Sequence, residues 1–344
     1  MVVIYLSDQI SPSKLWVAGF FALAIPVAIA INLLLFFISL KRKRQSKWLF
    51  MATLLLAIPH LNRTIAYAKL EEKTEKTSLK VLSYNVRVFN LYQYLKSPEK
   101  KVQSDAMVQW LTKQKVDVIA IQEYYENEKS QVFNLTERMK KNGFVYAHIV
   151  ARRQVKEGVL MGLATFSKYP IIHKKEILFE NNKSNKAAHV VIKKGGDEFN
   201  VFNCHLESMN IDAEKVFETD AHYDEVKREK VRLLKKLKRG FVSRAVQAEV
   251  VRDQALKQKN NTIICGDFND IPYSYTYTCF KSTYENAFEK AGVGLGFSYN
   301  HSSLFFLRID HQFFSKDLHI RSFNTMRDVN YSDHFPIVAE YQVE

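Results

Sequence analysis

Several short stretches of this chain run apolar, or alternate apolar with polar, and then stop on a polar side chain. Residues 79–85 (Leu-Lys-Val-Leu-Ser-Tyr-Asn) end on Asn85, and residues 117–123 (Asp-Val-Ile-Ala-Ile-Gln-Glu) end on Glu123. Residues 199–205 end on His205, and residues 307–310 end on Asp310 with Phe313-Phe314 following. The run Thr262-Ile263-Ile264 leads into Cys265-Gly266-Asp267-Phe268-Asn269-Asp270, where a glycine turn is expected to close the strand. The content of β-branched and aromatic residues predicts a strand at each. Residues 187–193 and 198–205 read as a strand pair joined through Gly195-Gly196. Residues 102–115 carry Met107, Trp110 and Leu111 at helical spacing, and residues 131–141 form a second helical stretch stopped by Asn142-Gly143. Residues 225–259 read as a long helix, broken near Gly240, with Leu233, Leu234, Leu237, Phe241 and Ala245 as its apolar stripe.

The first 70 residues follow another pattern. Residues 15–40 contain no charged residue across 26 positions, about 39 Å as a helix, which is long enough to span a bilayer with tilt. Pro26 lies within the run, where a membrane helix tolerates it. The cluster Lys41-Arg42-Lys43-Arg44 with Lys47 follows, and then a second apolar stretch from Trp48 towards Ala68. Two crossings would leave the basic loop in the cytoplasm and everything after it on the other face of a bacterial inner membrane, the periplasm. One crossing would put the rest of the chain in the cytoplasm. The expected organisation is a membrane anchor over 1–70 with helices at about 15–40 and 48–68, a linker over 71–78, and a soluble domain over 79–344.

Charge changes this picture only locally. Residues 1–70 hold 8 Lys/Arg and 1 acid, and the remaining 274 residues hold 42 basic and 35 acidic, so each part carries +7. That balance does not by itself require a nucleic-acid partner. Residues 225–259, however, hold 12 basic and 4 acidic residues, which suits either a solvated outer helix or a surface resting on anionic headgroups. Cys204, Cys265 and Cys279 show neither a disulfide framework nor zinc spacing.

The polar strand ends form a chemically coherent set. Asp267 can orient or deprotonate a water, Asn269 can hold a phosphate oxygen, and His334, in Ser332-Asp333-His334, can donate to developing charge. A hard cation such as Mg²⁺, or Mn²⁺ in its place, takes carboxylate and amide oxygens. Glu123 is then the natural principal ligand, with Asn85 and Asp333 near it. Taken singly, Asn85 suits a turn, Glu123 a helix N-terminus, His205 a core, and 267–269 an Asx turn. Together they point to splitting a phosphate ester with a divalent metal. The general base is left open between Asp267 and His334.

With these residues in place the chain resembles the endonuclease/exonuclease/phosphatase superfamily over about residues 79–342. The matching motifs are Ser83-Tyr84-Asn85, Ile121-Gln122-Glu123, residues 164–171, Asn203-Cys204-His205-Leu206, Gly266-Asp267-Phe268-Asn269, Ile309-Asp310 and Ser332-Asp333-His334. The resemblance implies a four-layer α/β sandwich, two packed and mainly antiparallel sheets flanked by helices, with the active site at one edge. It assigns Glu123 to the metal, Asn85 to metal or phosphate, and His205 to the scissile phosphate. It has Asp267 and Asn269 align the water, Asp310 hold His334, and Asp333 lie beside the metal. The expected activity is Mg²⁺-dependent phosphodiester hydrolysis by in-line attack of water. Its partners are a phosphate-ester substrate, nucleic acid or lipid headgroup, and a bilayer, and no protein partner is implied. Val86-Arg87-Val88-Phe89 lacks the glycine of the repair-nuclease pattern Asn-x-Asn-Gly, and Phe268-Asn269-Asp270 replaces the inositol-phosphatase pattern Asn-Tyr-Arg. Nuclease and phospholipid- or sphingomyelin-type headgroup diesterase therefore both stand, with a non-catalytic membrane binding protein on the same fold behind them.

Overall fold

Two six-stranded sheets lie face to face in the computed structural model, which describes residues 1–67, 76–156, 158–180, 182–209, 223–300 and 307–343. The first sheet contains β1 (Ser78–Asn85), β2 (Val118–Asn127), β3 (Tyr146–Lys156), β4 (Val159–Ser167), β11 (Leu318–Thr325) and β12 (Ile337–Val343). Their order is β11-β12-β1-β2-β4-β3. The second contains β5 (Ile171–Phe179), β6 (Asn182–Lys194), β7 (Asp197–His205), β8 (Thr262–Asp267), β9 (Glu285–Asn286) and β10 (Asp310–Phe314). Their order is β5-β6-β7-β8-β10-β9. Each sheet has one parallel pair, β1 with β2 and β7 with β8, and is otherwise antiparallel.

Apolar residues fill the space between the sheets, among them Val81, Val118 and Ala120 from the first and Val190, Val201 and Ile263 from the second. Helices cover the outer faces. Met107, Val108 and Leu111 of the helix Pro98–Thr112 pack on the first sheet, and Ala248, Val251 and Ala255 of Tyr223–Ala255 pack on the second. The architecture is the expected four-layer α/β sandwich. Polar side chains also cross the interface. Gln122 of β2 donates to the Asn203 Oδ1 of β7 at 2.7 Å, and Gln312 of β10 donates to the carbonyls of Ile337 and Val81 at 3.2 and 3.3 Å.

Local expectations shift in places. The helix expected over 131–141 begins at Leu135, because Ser130 Oγ accepts the Phe133 amide and turns the chain before it. Asp310 opens β10 and does not close a strand. Since β10 runs antiparallel to β8, this places Asp310 directly opposite Asp267. Gly266 lies inside β8 and is not a turn. Its φ is +145°, and a Cβ there would sit 1.9 Å from the Cys204 carbonyl oxygen. The long helix continues through Gly240, and only its second half packs on the domain. The expected linker over 71–78 falls mostly on 68–75, outside the described residues.

The N-terminal segment departs most from expectation. In place of one span over 15–40 there are two helices, Val17–Leu23 and Ile25–Lys41, bent by 51°. Pro26 sits in the first turn of the second helix, where its missing N–H and fixed φ suit a helix start and not a helix interior. Among the described residues no single helix is long and apolar enough to cross a membrane. The second apolar stretch likewise splits into Lys47–Leu55 and Ile58–Thr64, with Pro59 in the first turn of the latter. The helices Ile25–Lys41 and Lys47–Leu55 form a hairpin, tied by Asn32 donating to Thr53 Oγ1 at 2.7 Å. Its root is clamped to the sandwich. Arg63 Nη1 binds the buried Asp8 carboxylate at 2.8 Å, Thr278 Oγ1 donates to the same oxygen at 2.8 Å, and Ala66 pairs with Gly294.

Two buried histidines make the sandwich sensitive to acid. His189 stacks on Phe202 with ring centroids 4.3 Å apart, and burial pushes it from 6.5 down to about 4. Burial, with Arg308 nearby, pushes His311 down to about 3. The unfolded chain therefore binds protons that the fold refuses. The stability these residues contribute is whole above about pH 6.5 and falls with pH at up to about 1.4 kcal/mol per pH unit for each. His189→Gln, which keeps a donor for Asn200, should flatten this acid slope between pH 6.5 and 4. Urea titrations at a series of pH values check this, and an unchanged slope would contradict it.

Candidate active site

The eight polar residues singled out in the sequence lie around one edge of the sandwich, where strands of both sheets terminate. Asn85 ends β1, His205 ends β7, Asp267 ends β8 and Asp310 opens β10. Asn85 Nδ2 donates across the sheet interface to Asp267 Oδ2 at 2.9 Å and approaches Glu123 Oε1 at 3.4 Å. Asp267 is almost fully buried and is held on both oxygens. Its Oδ1 accepts from the Asn269 amide at 2.8 Å, and its Oδ2 accepts from Asn269 Nδ2 at 3.3 Å. Two imidazoles flank that same Oδ2, His205 Nε2 at 3.7 Å and His334 Nε2 at 3.8 Å. Both gaps are too long for direct hydrogen bonds and suit a bridging water or phosphate oxygen. His205 Nε2 is buried with no hydrogen-bond partner among the described residues, which suits it to such a bridge.

His334 is set from behind. Its Nδ1 lies 2.9 Å from Asp310 Oδ2, and Ser298 Oγ accepts the Asp310 amide at 3.0 Å. Burial alone would lower the imidazole, but Asp310 and then Asp267 and Asp333 outweigh it and hold His334 up at about 10. Burial pushes the Asp310 carboxyl up as well, so the pair holds its proton between His334 Nδ1 and Asp310 Oδ2. Tyr299 stands edge-on to His334 with ring centroids 5.1 Å apart, and burial next to Asp333 pushes its phenol up to about 12.

Backbone strain marks the same edge. Glu123 occupies a bulge where the pairing of β2 with β4 slips between Ile121 and Tyr124, and its φ is +51°. Asn269 has φ +50°, and Arg87, Val88, Phe89 and Asn90 form a left-handed run with φ from +46° to +55°. Such conformations cost about 1–2 kcal/mol per residue and persist where packing over-determines them. Here Phe89 is buried against Tyr124 and Phe133, and Arg87 Nε lies 3.4 Å from Asp333 Oδ2.

Glu123, Asp267, Asn269, Asp333 and His334 line a cleft of about 710 Å³, with Asn85 and His205 next to Asp267 and Asp310 next to His334. Two carboxylates and an imidazole, Asp267, Asp310 and His334, present atoms within 4.8 Å of one another. That cluster is distinct from the expected metal set of Glu123, Asn85 and Asp333. Because Asp310 already occupies His334 Nδ1, it reads as a proton network. The Glu123 carboxylate is about one-third exposed and lines the cleft with Asp333, and these carboxylates are the donors a hard divalent cation takes, while Asn85 turns its Nδ2 to Glu123 and its Oδ1 to the Arg87 amide. Sequence reasoning missed Tyr299, Ser298 and Arg87. It also missed the cleft wall contributed by Leu23, Pro26, Val27 and Arg63, residues read only as membrane anchor.

Residues 82–334 match the model of the Endonuclease/Exonuclease/phosphatase family, and residues 1–64 match a Domain of unknown function (DUF8431). No curated protein matches the chain. Among solved structures, an endonuclease/exonuclease/phosphatase family protein from Bacteroides thetaiotaomicron is similar at 21% identity and a TM-score of 0.54, covering 79% of this chain and 97% of its own. One from Leptotrichia buccalis shows 18% identity and a TM-score of 0.52 over 77% and 99%. The human Nocturnin catalytic domain with bound sulfate anion shows 14% and 0.53 over 80% and 97%. These likenesses concern the fold.

Asp310→Asn should lower the proton affinity of the His334 imidazole, seen in its NMR titration on metal-free protein. If His334 takes part in proton transfer, His334→Ala should lose roughly 10²–10⁴-fold in turnover, and Asp310→Asn should lose less. Equal turnover in wild type and His334→Ala would remove the imidazole from the chemistry.

Proposed function

The chain belongs to the endonuclease/exonuclease/phosphatase family, and we propose that it is a membrane-anchored, Mg²⁺-dependent phosphodiesterase. The observation that carries this reading is Asp267 Oδ2, flanked by two imidazole Nε2 atoms at 3.7 and 3.8 Å and bound by Asn85 beside Glu123. A phosphoryl group placed there meets hydrogen-bond donors on several sides. Asp267 accepts a proton from the attacking water, Asn269 keeps that carboxylate oriented, and His205 binds a phosphoryl oxygen. His334, with Nδ1 on Asp310, donates from Nε2 to the oxygen on which charge develops. The new P–O bond comes from water, the ester P–O bond breaks, and the leaving oxygen ends protonated. Glu123, with Asn85 and Asp333, would hold Mg²⁺ or Mn²⁺, which supplies positive charge against the phosphoryl oxygens.

The membrane reading rests on the hairpin and its surroundings. Val27, Leu34 and Phe37 of Ile25–Lys41 are each 60% exposed, and Trp48, Leu49 and Leu55 on the second arm are also exposed. A soluble surface rarely carries so continuous an apolar face. Both arms join the sandwich at Ile25 and Ala57, while the basic turn Lys41–Lys47 lies at the far end. Beside the root, the half of the long helix over residues 227–239 stands clear of the core with eight Lys/Arg against one Glu, and Lys238 lies over Trp16 at 4.9 Å. That charge suits anionic headgroups. With the basic turn retained in the cytoplasm, the catalytic domain faces the periplasm.

Full-length protein should hydrolyse bis(p-nitrophenyl) phosphate with Mg²⁺ and stop in EDTA, and Glu123→Gln should weaken Mg²⁺ binding in calorimetry with the fold intact. Undiminished Mg²⁺ affinity in the variant would move the metal away from Glu123. Alkaline phosphatase fused after Glu344 should be active and green fluorescent protein at the same point dark. The reverse pair would place the domain in the cytoplasm.

A further inference from the structure

The cleft is built from two parts of the chain with opposite chemistry. Glu123, Asp267, Asn269, Asp333 and His334 supply its polar lining, and the rest of the wall is mainly apolar, with Leu23, Pro26, Val27, Ile271, Phe297 and Leu307 among its residues. Its volume of about 710 Å³ accommodates far more than a phosphate group. Pro26 and Val27 lie in the first turn of Ile25–Lys41, so the apolar wall begins where the hairpin leaves the sandwich.

Among the described residues, the guanidinium groups that line this wall are already engaged within the protein. Arg63 binds Asp8 and Thr278. Arg308 binds the backbone oxygens of Leu295 and Arg63 and lies over the Phe288 ring at 3.8 Å. A nucleic-acid strand would bring further phosphates on either side of the scissile one, and these call for accessible cations along the groove. An apolar wall favours a hydrocarbon chain instead, at a gain of about fourfold in binding for each methylene fully buried.

We propose that the substrate is a phosphoester carrying a lipid chain. Its phosphate sits between Asp267 and His334, its chain lies along Leu23, Pro26 and Val27, and it enters from the bilayer at the hairpin root. This rests on reading the site as a phosphoesterase. The N-terminal segment is then part of the substrate site as well as an anchor.

The test is a series of p-nitrophenyl alkyl phosphates, methyl to decyl, assayed with Mg²⁺ on the full chain in nanodiscs, with a single-stranded oligonucleotide as comparison. For wild type, kcat/KM should rise at least tenfold from methyl to decyl and exceed that for the oligonucleotide. Leu23→Gln and Val27→Gln should each cut the decyl-to-methyl ratio at least fivefold. Leu34→Gln, on the hairpin but away from the cleft, should keep the wild-type ratio. Partitioning into the disc is common to all these proteins, so the ratio isolates the cleft. Equal turnover of methyl and decyl esters, or preference for the oligonucleotide, would overturn the lipid-chain proposal and leave the phosphoesterase reading standing. Absence of turnover on every ester would overturn both.

Discussion

The hydrogen bond from Asn85 to Asp267 joins the end of a strand in one sheet to the end of a strand in the other, at 2.9 Å. Everything in the site depends on the two sheets meeting in that register. Apolar contact sets the spacing between sheets but tolerates sliding, since dispersion is weakly directional. The interface therefore also carries directional bonds. Gln122 reaches Asn203, Asn203 reaches the Ala164 and Ile121 carbonyls, and Gln312 takes carbonyls of Val81 and Ile337 while accepting from Tyr341. A buried amide left unpaired costs about 1–3 kcal/mol, so sliding the sheets breaks several such bonds at once. The residues beside the chemistry, Gln122 next to Glu123 and Asn203 two before His205, are the ones that fix the frame.

Strain is concentrated where that frame meets the cleft. Glu123 could not face the opening from a regular β2, because side chains alternate between faces along a strand. The bulge re-aims it, at the expense of a left-handed backbone. Gly266 shows the complementary constraint. With the Cys204 carbonyl 1.9 Å from where a Cβ would be, any side chain would force β7 and β8 apart and carry Asp267 away from His205. The polar ends converge because the backbone was bent or stripped of side chains at particular positions.

Much of this was legible in the chain. Apolar runs ending on Asn85 and His205 marked strands and their ends correctly, since β-type composition and a polar terminus are local signals, whereas Glu123, expected to close its strand, lies inside β2 at the bulge and the strand continues to Asn127. Asp310 was assigned to the wrong end of its strand, because the direction of Leu307–Phe314 relative to β8 is set by pairing and not by local composition. Gly266 looked like a turn for the same reason: its role comes from Cys204 on a neighbouring strand. Tyr299 and Ser298 gave no signal, lying in a segment without periodicity and meeting His334 and Asp310 only in three dimensions. The N-terminal run was read as a single span because hydropathy counts residues without seeing the bend before Pro26.

That bend also determines what the N-terminal segment contributes. A straight helix from residue 15 to 40 would leave the sandwich at one point. The bent pair instead lays Val17–Leu23 against the domain, with Phe20 edge-on to Phe241 at 5.0 Å, and starts the hairpin beside the cleft. The joint is locked by Asp8 and Arg63, a fully desolvated pair with Thr278 as third partner. Buried ion pairs add little net stability over a well-packed apolar contact, yet removing one partner costs about 3–5 kcal/mol. The value of the pair at this joint is therefore geometric. It admits one seating of the hairpin root on the sandwich, and Arg63, whose carbonyl also receives Arg308, lies in the cleft wall itself. The same contacts that seat the apolar segment on the domain thus shape the pocket in which the polar strand ends meet their substrate.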